Sequence, residues 1–396
     1  MYNLNLSASN KTKFEAALVT SGPRRITITI RDHDEKKVAD LTAPQVLEGA
    51  VQVDAAAAVT RSLSLTCLDP NHKLQFDYAS PAQGALYADN FISIDYGVYI
   101  PSTDSWIDVP VFWGPLTDFQ RQGAEVTIEA QGKETLGLDP HLVRNGYTLH
   151  RGMLVANAVR NVMDRIGETK YNLETVTGRL HKHRAVTPGE APWAVVAGGG
   201  LDSAGGNKPA LVSKINGHAM LFFNGVGRLT HRRRNVNSVW TFSTDQLVSQ
   251  PGFHFDILNV RNHVEVKGGT PKKSKKHFRG HATLPDVHPL SPYGLRRNGQ
   301  HRYMVEFFES DSLKSDAACR DQAEAILASH SNEGVEASFE CLPIPHLEEW
   351  DHVTLNGPGY SMSFPLQTFT IPLTSDSSMS VGASKSVKPR RRRHHR

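Results

Sequence analysis

The sequence predicts a β-rich α+β fold: two β-barrel or sandwich-like domains with an α/β insertion between them. Three observations carry this expectation. Residues 26–130 hold a succession of short segments in which apolar and polar residues alternate. The chain has 31 Gly and 22 Pro in 396 residues, enough turn formers for many short strands. The apolar period changes to that of an amphipathic helix at only a few places.

Taken in order, Ile26–Ile30, Gly49–Val53, Ser62–Cys67 and Ile92–Tyr96 alternate with period two and read as strands. Asp32–Glu35, Asp69–Asn71 and Ala88–Asn90 are the turns between them. Val109–Trp113, then Gly114–Asp118, then Ala124–Ala130 add two further strands before the texture changes at Lys133–Leu136. Val155, Val159, Val162 and Ile166 then share one helical stripe, with Ala156, Ala158 and Met163 beside it, and Gly167 stops the helix. Pro192–Ala197 can start a second helix with proline at its first position. Met220–Phe223 and Arg228–His231 flank Asn224-Gly225 and read as a hairpin.

Asn259–Gly269 opens a second strand-rich block, and Pro271–Gly280 is a basic loop. Tyr303–Phe308 reads as a strand ending in the turn formers Ser310–Ser312. Ser315 can cap a helix whose first turn holds Asp316, with Ala318 or Cys319, Ala323, Ile326 and Leu327 on its apolar face. Gly334 ends that helix, Val335–Cys341 alternates as a half-buried strand, and Pro343 and Pro345 interrupt ladder pairing until His352–Leu355 resumes it. The last strands are Leu366–Ile371 and Ser378–Val381; from Gly382 onward the residues offer nothing to bury, and a disordered tail is expected. The expected domains are therefore 1–145, 146–255 and 256–381, with a basic tail over 382–396.

Composition is that of a globular chain, 39% hydrophobic and 21% charged. No run approaches the roughly 18 apolar residues of a membrane helix. Met1–Leu6 lacks the layout of a signal peptide, so a soluble protein made in a cytoplasm is expected. Cys67, Cys319 and Cys341 are too few and scattered for a disulfide framework or a zinc ribbon, and are expected as buried small apolar groups. Much of the +4 net charge lies in two clusters: Lys272, Lys273, Lys275 and Lys276 in the basic loop, and Arg390, Arg391, Arg392 and Arg393 in the tail. That concentration argues against a folded nucleic-acid-binding face. Both clusters are candidate contacts for an acidic partner or for phosphate, with a solvated loop as the alternative for the first.

No catalytic, metal or cofactor pattern emerges. Gly198–Gly206 lacks the Gly-Lys-Ser/Thr ending of a phosphate loop and reads as a surface loop. His181 and His183 could share one strand face, joined by His141 or His150, but nothing fixes a third ligand. Glu348, Glu349 and Asp351 are the densest acidic group, which a glycosidase reading would need. Trp113 and Trp240 are expected in the core; Trp106 and Trp350 are more open and could line a sugar-binding groove.

Several of these segments together resemble baseplate-hub and tail-associated proteins of long-tailed phages. The family's R-S-L-x-L-x-x-x-D-P strand and turn is similar to Arg61–Pro70, its G-x-L-x-D hairpin to Gly114–Asp118, and its helix and P-W segment to the stretch ending at Pro192-Trp193. Its D/N-G-x-G turn resembles Asn224–Gly227, and its N-x-V-x-V-x-G strand lies within Asn259–Gly269. The family usually has Gly-Asp before the strand that follows its Pro-rich turn, where this chain has Trp350-Asp351.

The resemblance runs from about Arg25 to Val381 and implies a structural virion protein. It would be a homotrimer whose two β-domains per subunit form a pseudo-sixfold ring on the tail tube. Its partners would be the distal tail protein, the tape-measure protein and other tail-tip proteins, with DNA only in transit. The ring would open for DNA passage after host recognition. The alternative is a tail-associated cell-wall hydrolase or a carbohydrate-binding receptor module.

Overall fold

The structure is a computed structural model that describes residues 1–20, 22–75, 84–87, 90–139, 142–198, 210–212, 214–216, 219–233, 237–255, 261–271, 276–286, 288, 290–310, 313–330, 332–374 and 377–386. It is β-rich α+β, as the sequence predicts. The chain divides into two compact units, the first comprising Met1–Gln250, Phe339–Met362 and Leu366–Val381, the second built on Pro251–Ser338.

The first unit opens with helix α1 (Ala8–Leu18), capped by the Ser7 hydroxyl. Strands β1 (Arg24–Arg31), β2 (Lys37–Thr42), β3 (Val46–Asp54), β4 (Arg61–Leu68), β5 (Phe91–Ile100), β6 (Ser105–Gln122) and β7 (Glu125–Gln131) follow. The alternation read from Ile26, Ile28 and Ile30 holds, since all three are buried. β5 departs from simple alternation: Ile92, Ser93 and Ile94 are all buried, because both faces of the strand are covered. Part of that cover is α1, which packs on β5 and buries Phe14, Ala17 and Leu18. The sequence reading missed both α1 and β2, although Phe14, Ala17 and Leu18 stand at helical spacing.

The hairpin expected at Gly114–Asp118 is instead the middle of the 18-residue β6. Up to Pro115, β6 pairs with β5; from Leu116, it pairs with β7, with a register shift between Leu116 and Asp118. Proline removes a ladder donor where the strand changes partner, so the segment bends without reversing. The reversal comes at Gly123, between β6 and β7.

A single 3-10 turn at Lys133–Gly137 leads to β8 (Tyr147–Leu149), α2 (Val155–Asp164), β9 (Tyr171–Asn172), β10 (Arg184–Val186) and α3 (Pro192–Ala197). Strands β11 (Ile215–Asn216), β12 (Ala219–Phe223), β13 (Leu229–Arg233) and β14 (Trp240–Phe242) complete this stretch. β11, β12, β13 and β9 form a four-stranded sheet. One cluster joins that sheet to the helices: Val159, Val162 and Met163 of α2 with Trp193 and Val196 of α3, and Leu221, Phe223 and Leu229 of the hairpin. The helical stripe and the Asn-Gly hairpin lie where the sequence puts them.

The second unit contains β15 (Gly252–Phe255), β16 (His263–Gly268), β17 (Arg279–Thr283), the short β18 (Arg296–Arg297) and β19 (Gln300–His301), and β20 (Val305–Ser310). Helix α4 (Asp316–His330) and strand β21 (Asn332–Cys341) follow. β16 is the central strand of a β17-β16-β20 sheet. Cys319, Ala323 and Leu327 of α4 pack on Val264, Val266 and Ala282, with Ile326 at the margin, which is the apolar face the sequence outlines. Ser315 caps α4 through its Oγ, which accepts from the Ala318 N–H at 3.1 Å. Gly334 is not the breaker: α4 ends at His330 and Gly334 already lies in β21.

The chain closes with β22 (His352–Gly357), β23 (Tyr360–Pro372) and β24 (Met379–Ser386). In the first unit β14 runs parallel to β22, and β23 pairs antiparallel with β3. β24 continues five residues past Val381, to Ser386, into the stretch expected to offer nothing to bury.

Candidate functional site

The densest set of functional groups is the turn between Pro345 and β22. Pro343 and Pro345 withhold ladder donors, so the backbone turns there. Leu347 N–H donates to the Ile344 carbonyl at 3.2 Å and Asp351 N–H to the Glu348 carbonyl at 3.1 Å. The Asp351 carboxylate also accepts from the Glu348 N–H at 2.7 Å, closing the turn from its own side chain. Trp350 sits inside it at φ 63°, a conformation that glycine adopts without strain. Trp350 stands where the motif it resembles carries Gly, and its backbone lies in the left-handed region that glycine favours. The indole is held against Ala55, Met220 and Phe222.

All three carboxylates of the turn are buried and each is met by a cation. Arg61, 3% exposed, grips Glu349, 0% exposed, through Nε–Oε1 at 2.6 Å and Nη2–Oε2 at 2.9 Å, while its Nη1 donates to the Val111 carbonyl at 2.6 Å. Arg232 bridges Glu348 and Asp351, both at 3.1 Å, and donates to the Glu349 carbonyl. The Met1 amino group also pairs with Asp351. Burial, the largest single influence, would pull both arginines down, but the carboxylates around them, led by Glu349 for Arg61 and Asp351 for Arg232, together hold them above their ordinary range. Burial pushes Glu348 up despite Arg232. With both oxygens of Glu349 on one guanidinium in a fork-to-fork pair, this geometry serves to fasten the turn to β4 and β6.

Two further buried networks lie in the same unit. Lys133, 1% exposed, contacts Glu35 and Glu168, each at 2.5 Å, and Lys170 joins Glu35. Glu134 is wholly buried; its Oε1 accepts from the Thr60 N–H at 3.4 Å and the Phe223 N–H at 3.3 Å, and its Oε2 has no partner. Burial raises its carboxyl above the ordinary 4.5, so the native chain holds this proton more tightly than the unfolded one. The resulting stability is complete below the unfolded value and is lost as pH rises through the folded one. Glu134→Gln keeps the acceptor for both N–H groups. It is expected to raise the melting temperature at about pH 8 and to leave it unchanged near about pH 4, read by calorimetry across pH.

The polar letters of the family-like motifs fall on comparable brackets. Asp69 of the Asp-Pro turn is fully buried, pairs with Arg121 at 3.0 Å and accepts from the Lys73 and Leu74 N–H groups. Asn262, at the start of the second unit's strand motif, is fully buried; its Nδ2 donates to the Leu290 and Arg302 carbonyls and its Oδ1 accepts from the Met304 N–H. In the Asn224–Gly227 turn a Cβ on Gly225 would overlap the Pro110 carbonyl of β6, and one on Gly227 would stand 2.6 Å from the Trp113 ring. The motif's glycines mark where this hairpin lies against β6.

Of the sequence candidates for partner binding, Lys276 is exposed. Lys272, Lys273, Lys275, Arg390, Arg391, Arg392 and Arg393 lie outside the described residues, as do His141 and most of the Gly198–Gly206 loop. His181 and His183 are exposed, and the His150 and His183 rings meet edge to face at 5.6 Å. Among the described residues no group of three or more His, Cys, Asp or Glu is arranged to hold a metal.

Trp113 and Trp240 are half-buried rather than in the core. Trp113 carries Arg31 and Lys170 over its ring at 4.3 and 4.0 Å; the fully packed tryptophan is Trp193. The three cysteines are buried free thiols. Sequence reasoning missed Arg61 and Arg232 as partners of the acidic turn, and Lys133 and Glu134 as buried charges. Only the Arg at the head of the R-S-L motif in β4 hinted at any of them.

No family model matches the sequence, and no curated protein is detectably similar to it. Solved structures are similar in fold. The 43 kDa tail protein of prophage MuSo2 from Shewanella oneidensis superimposes with a TM-score of 0.58 at 12% identity, covering 92% of this chain and 98% of that one. The chain has the fold of prophage tail proteins. A tail protein from Neisseria meningitidis gives 0.55 at 12% identity over 91% and 96% of the two chains. A chain of the Francisella PdpA-VgrG complex gives 0.53 at 8% identity over 98% and 62%. The tail-protein fold is thus present nearly end to end.

Proposed function

We propose that the protein is a baseplate-hub or minor tail protein, a structural component of the tail tip of a long-tailed phage or prophage. Three copies would form a ring that caps or extends the tail tube and opens for DNA passage. The observation that carries this is the end-to-end match in fold to a prophage tail protein, 92% of this chain against 98% of that one. Closed cyclic symmetry suits the role, because a ring leaves no open interface. The partners are further copies of the chain, the distal tail protein, the tape-measure protein and other tail-tip proteins. The site of action is the virion, after assembly in the host cytoplasm. The basic residues at 272–276 and 390–393 are proposed to contact acidic partner surfaces or phosphate in a salt-sensitive way.

The role is mechanical rather than catalytic, supported by the way the acidic turn is spent: Glu349, Glu348 and Asp351 are buried against Arg61 and Arg232. Native mass spectrometry of the purified chain, alone or with its tail-tip neighbours, is expected to give three copies. Peptidoglycan and oligosaccharide turnover should stay at the level of buffer. Turnover abolished by Glu348→Gln or Asp351→Asn would favour the cell-wall hydrolase instead. A chain truncated after Val387 is expected to fold as before and to bind its neighbours with a weaker salt dependence.

A further inference from the structure

Among the described residues, the most exposed large aromatic lies in the second unit. Phe307 is 77% exposed and Phe308, on the opposite face of β20, is 38% exposed. The strand is the last of the β17-β16-β20 sheet. Helix α4 packs on β16 and β17, and the cluster it makes there includes neither phenylalanine. A sheet edge with an aromatic on each face is a template for another strand, and an added strand would cover both faces at once.

At the end of the first unit's sheet lies a second such edge, β2. Its second residue, Val38, is 47% exposed and is preceded by the exposed Lys36 and Lys37. The charges at the two edges sit in exposed ion pairs within the chain, Lys36 with Asp34, Lys37 with Asp40 and Glu309 with Lys267, which solvent leaves free to exchange for partners across an added strand. Set antiparallel with Phe307 opposite Val38, the strands bring Glu309 opposite Lys36 on one face and lay Phe308 along the Lys37 stem on the other. Glu306 then faces Ala39, and no carboxylate opposes another. A parallel arrangement with the same central pair would set Glu306 against Lys37 but Glu309 against Asp40, a like-charge pair that the antiparallel one lacks.

We infer that the outer edge of β20 docks antiparallel onto the outer edge of β2 in a second copy of this chain, with Phe307 as the central contact. The two surfaces differ, so the contact is head to tail, the kind that builds a ring when its rotation closes and a filament when it does not. This rests on the proposed hub role and assigns it an interface.

The test uses the full chain. A Val38→Cys/Phe307→Cys double variant, mildly oxidised, is expected to give disulfide-linked multimers on a non-reducing gel, and each single variant none; the native cysteines are buried. Phe307→Asp is expected to raise the concentration needed for assembly at least about tenfold while leaving the melting curve unchanged, since the ring touches no core. Wild-type assemblies that neither cross-link through this pair nor weaken with Phe307→Asp would overturn the interface and leave the ring standing. A wild-type chain that stays monomeric with its neighbours present would overturn both.

Discussion

Arg61→Met is expected to lower folding stability by about 3–5 kcal/mol, measured as a shifted denaturant midpoint. The guanidinium is 3% exposed and holds both oxygens of a carboxylate that is itself 0% exposed. Truncating it leaves Glu349 charged, dry and without its partner, and also orphans the Val111 carbonyl that Nη1 satisfies. The cost is that of an uncompensated buried charge, which exceeds the modest worth of the pair itself. The double variant Arg61→Met/Glu349→Leu should therefore recover much of the loss. A loss below about 1 kcal/mol for the single variant would mean that solvent reaches the pair as it does at a surface.

Gly225→Ala is expected to cost about 3 kcal/mol or more, because the added methyl has nowhere to go. The obstacle is the Pro110 carbonyl of β6, and a backbone atom in a paired strand cannot rotate aside as a side-chain tip can. The β12–β13 hairpin would have to lift from β6, taking with it Phe223, whose N–H donates to Glu134. Circular dichroism melts of the variant read the loss. A melting temperature equal to that of the parent would show that the hairpin does not lie against β6.

Much of the fold was legible because local pattern and final burial agree. Ile26, Ile28 and Ile30, the α2 stripe and the α4 face from Cys319 to Leu327 all pack as their spacing says. Pattern failed where tertiary context decides. Gly114-Pro115 looks like a reversal, yet it marks a change of strand partner in the middle of β6. Gly334 looks like a helix stop, yet α4 has already ended when the chain reaches it. The site was legible only as an acidic cluster. What makes it structural is Arg61, 288 residues from Glu349, and no local spacing encodes such a pair. The Trp350-Asp351 pair was informative in a different way: Trp350 takes φ 63°, the left-handed conformation that glycine favours, at the place where the resembled motif has Gly.

The most direct test of the hub account is cryo-electron microscopy of the purified chain and of tails that contain it. The expected class averages show a threefold ring around a central channel wide enough for duplex DNA, roughly 20 Å or more by the dimensions of the double helix. A monomer within assembled tails, or a closed disc with no means of opening, would contradict it.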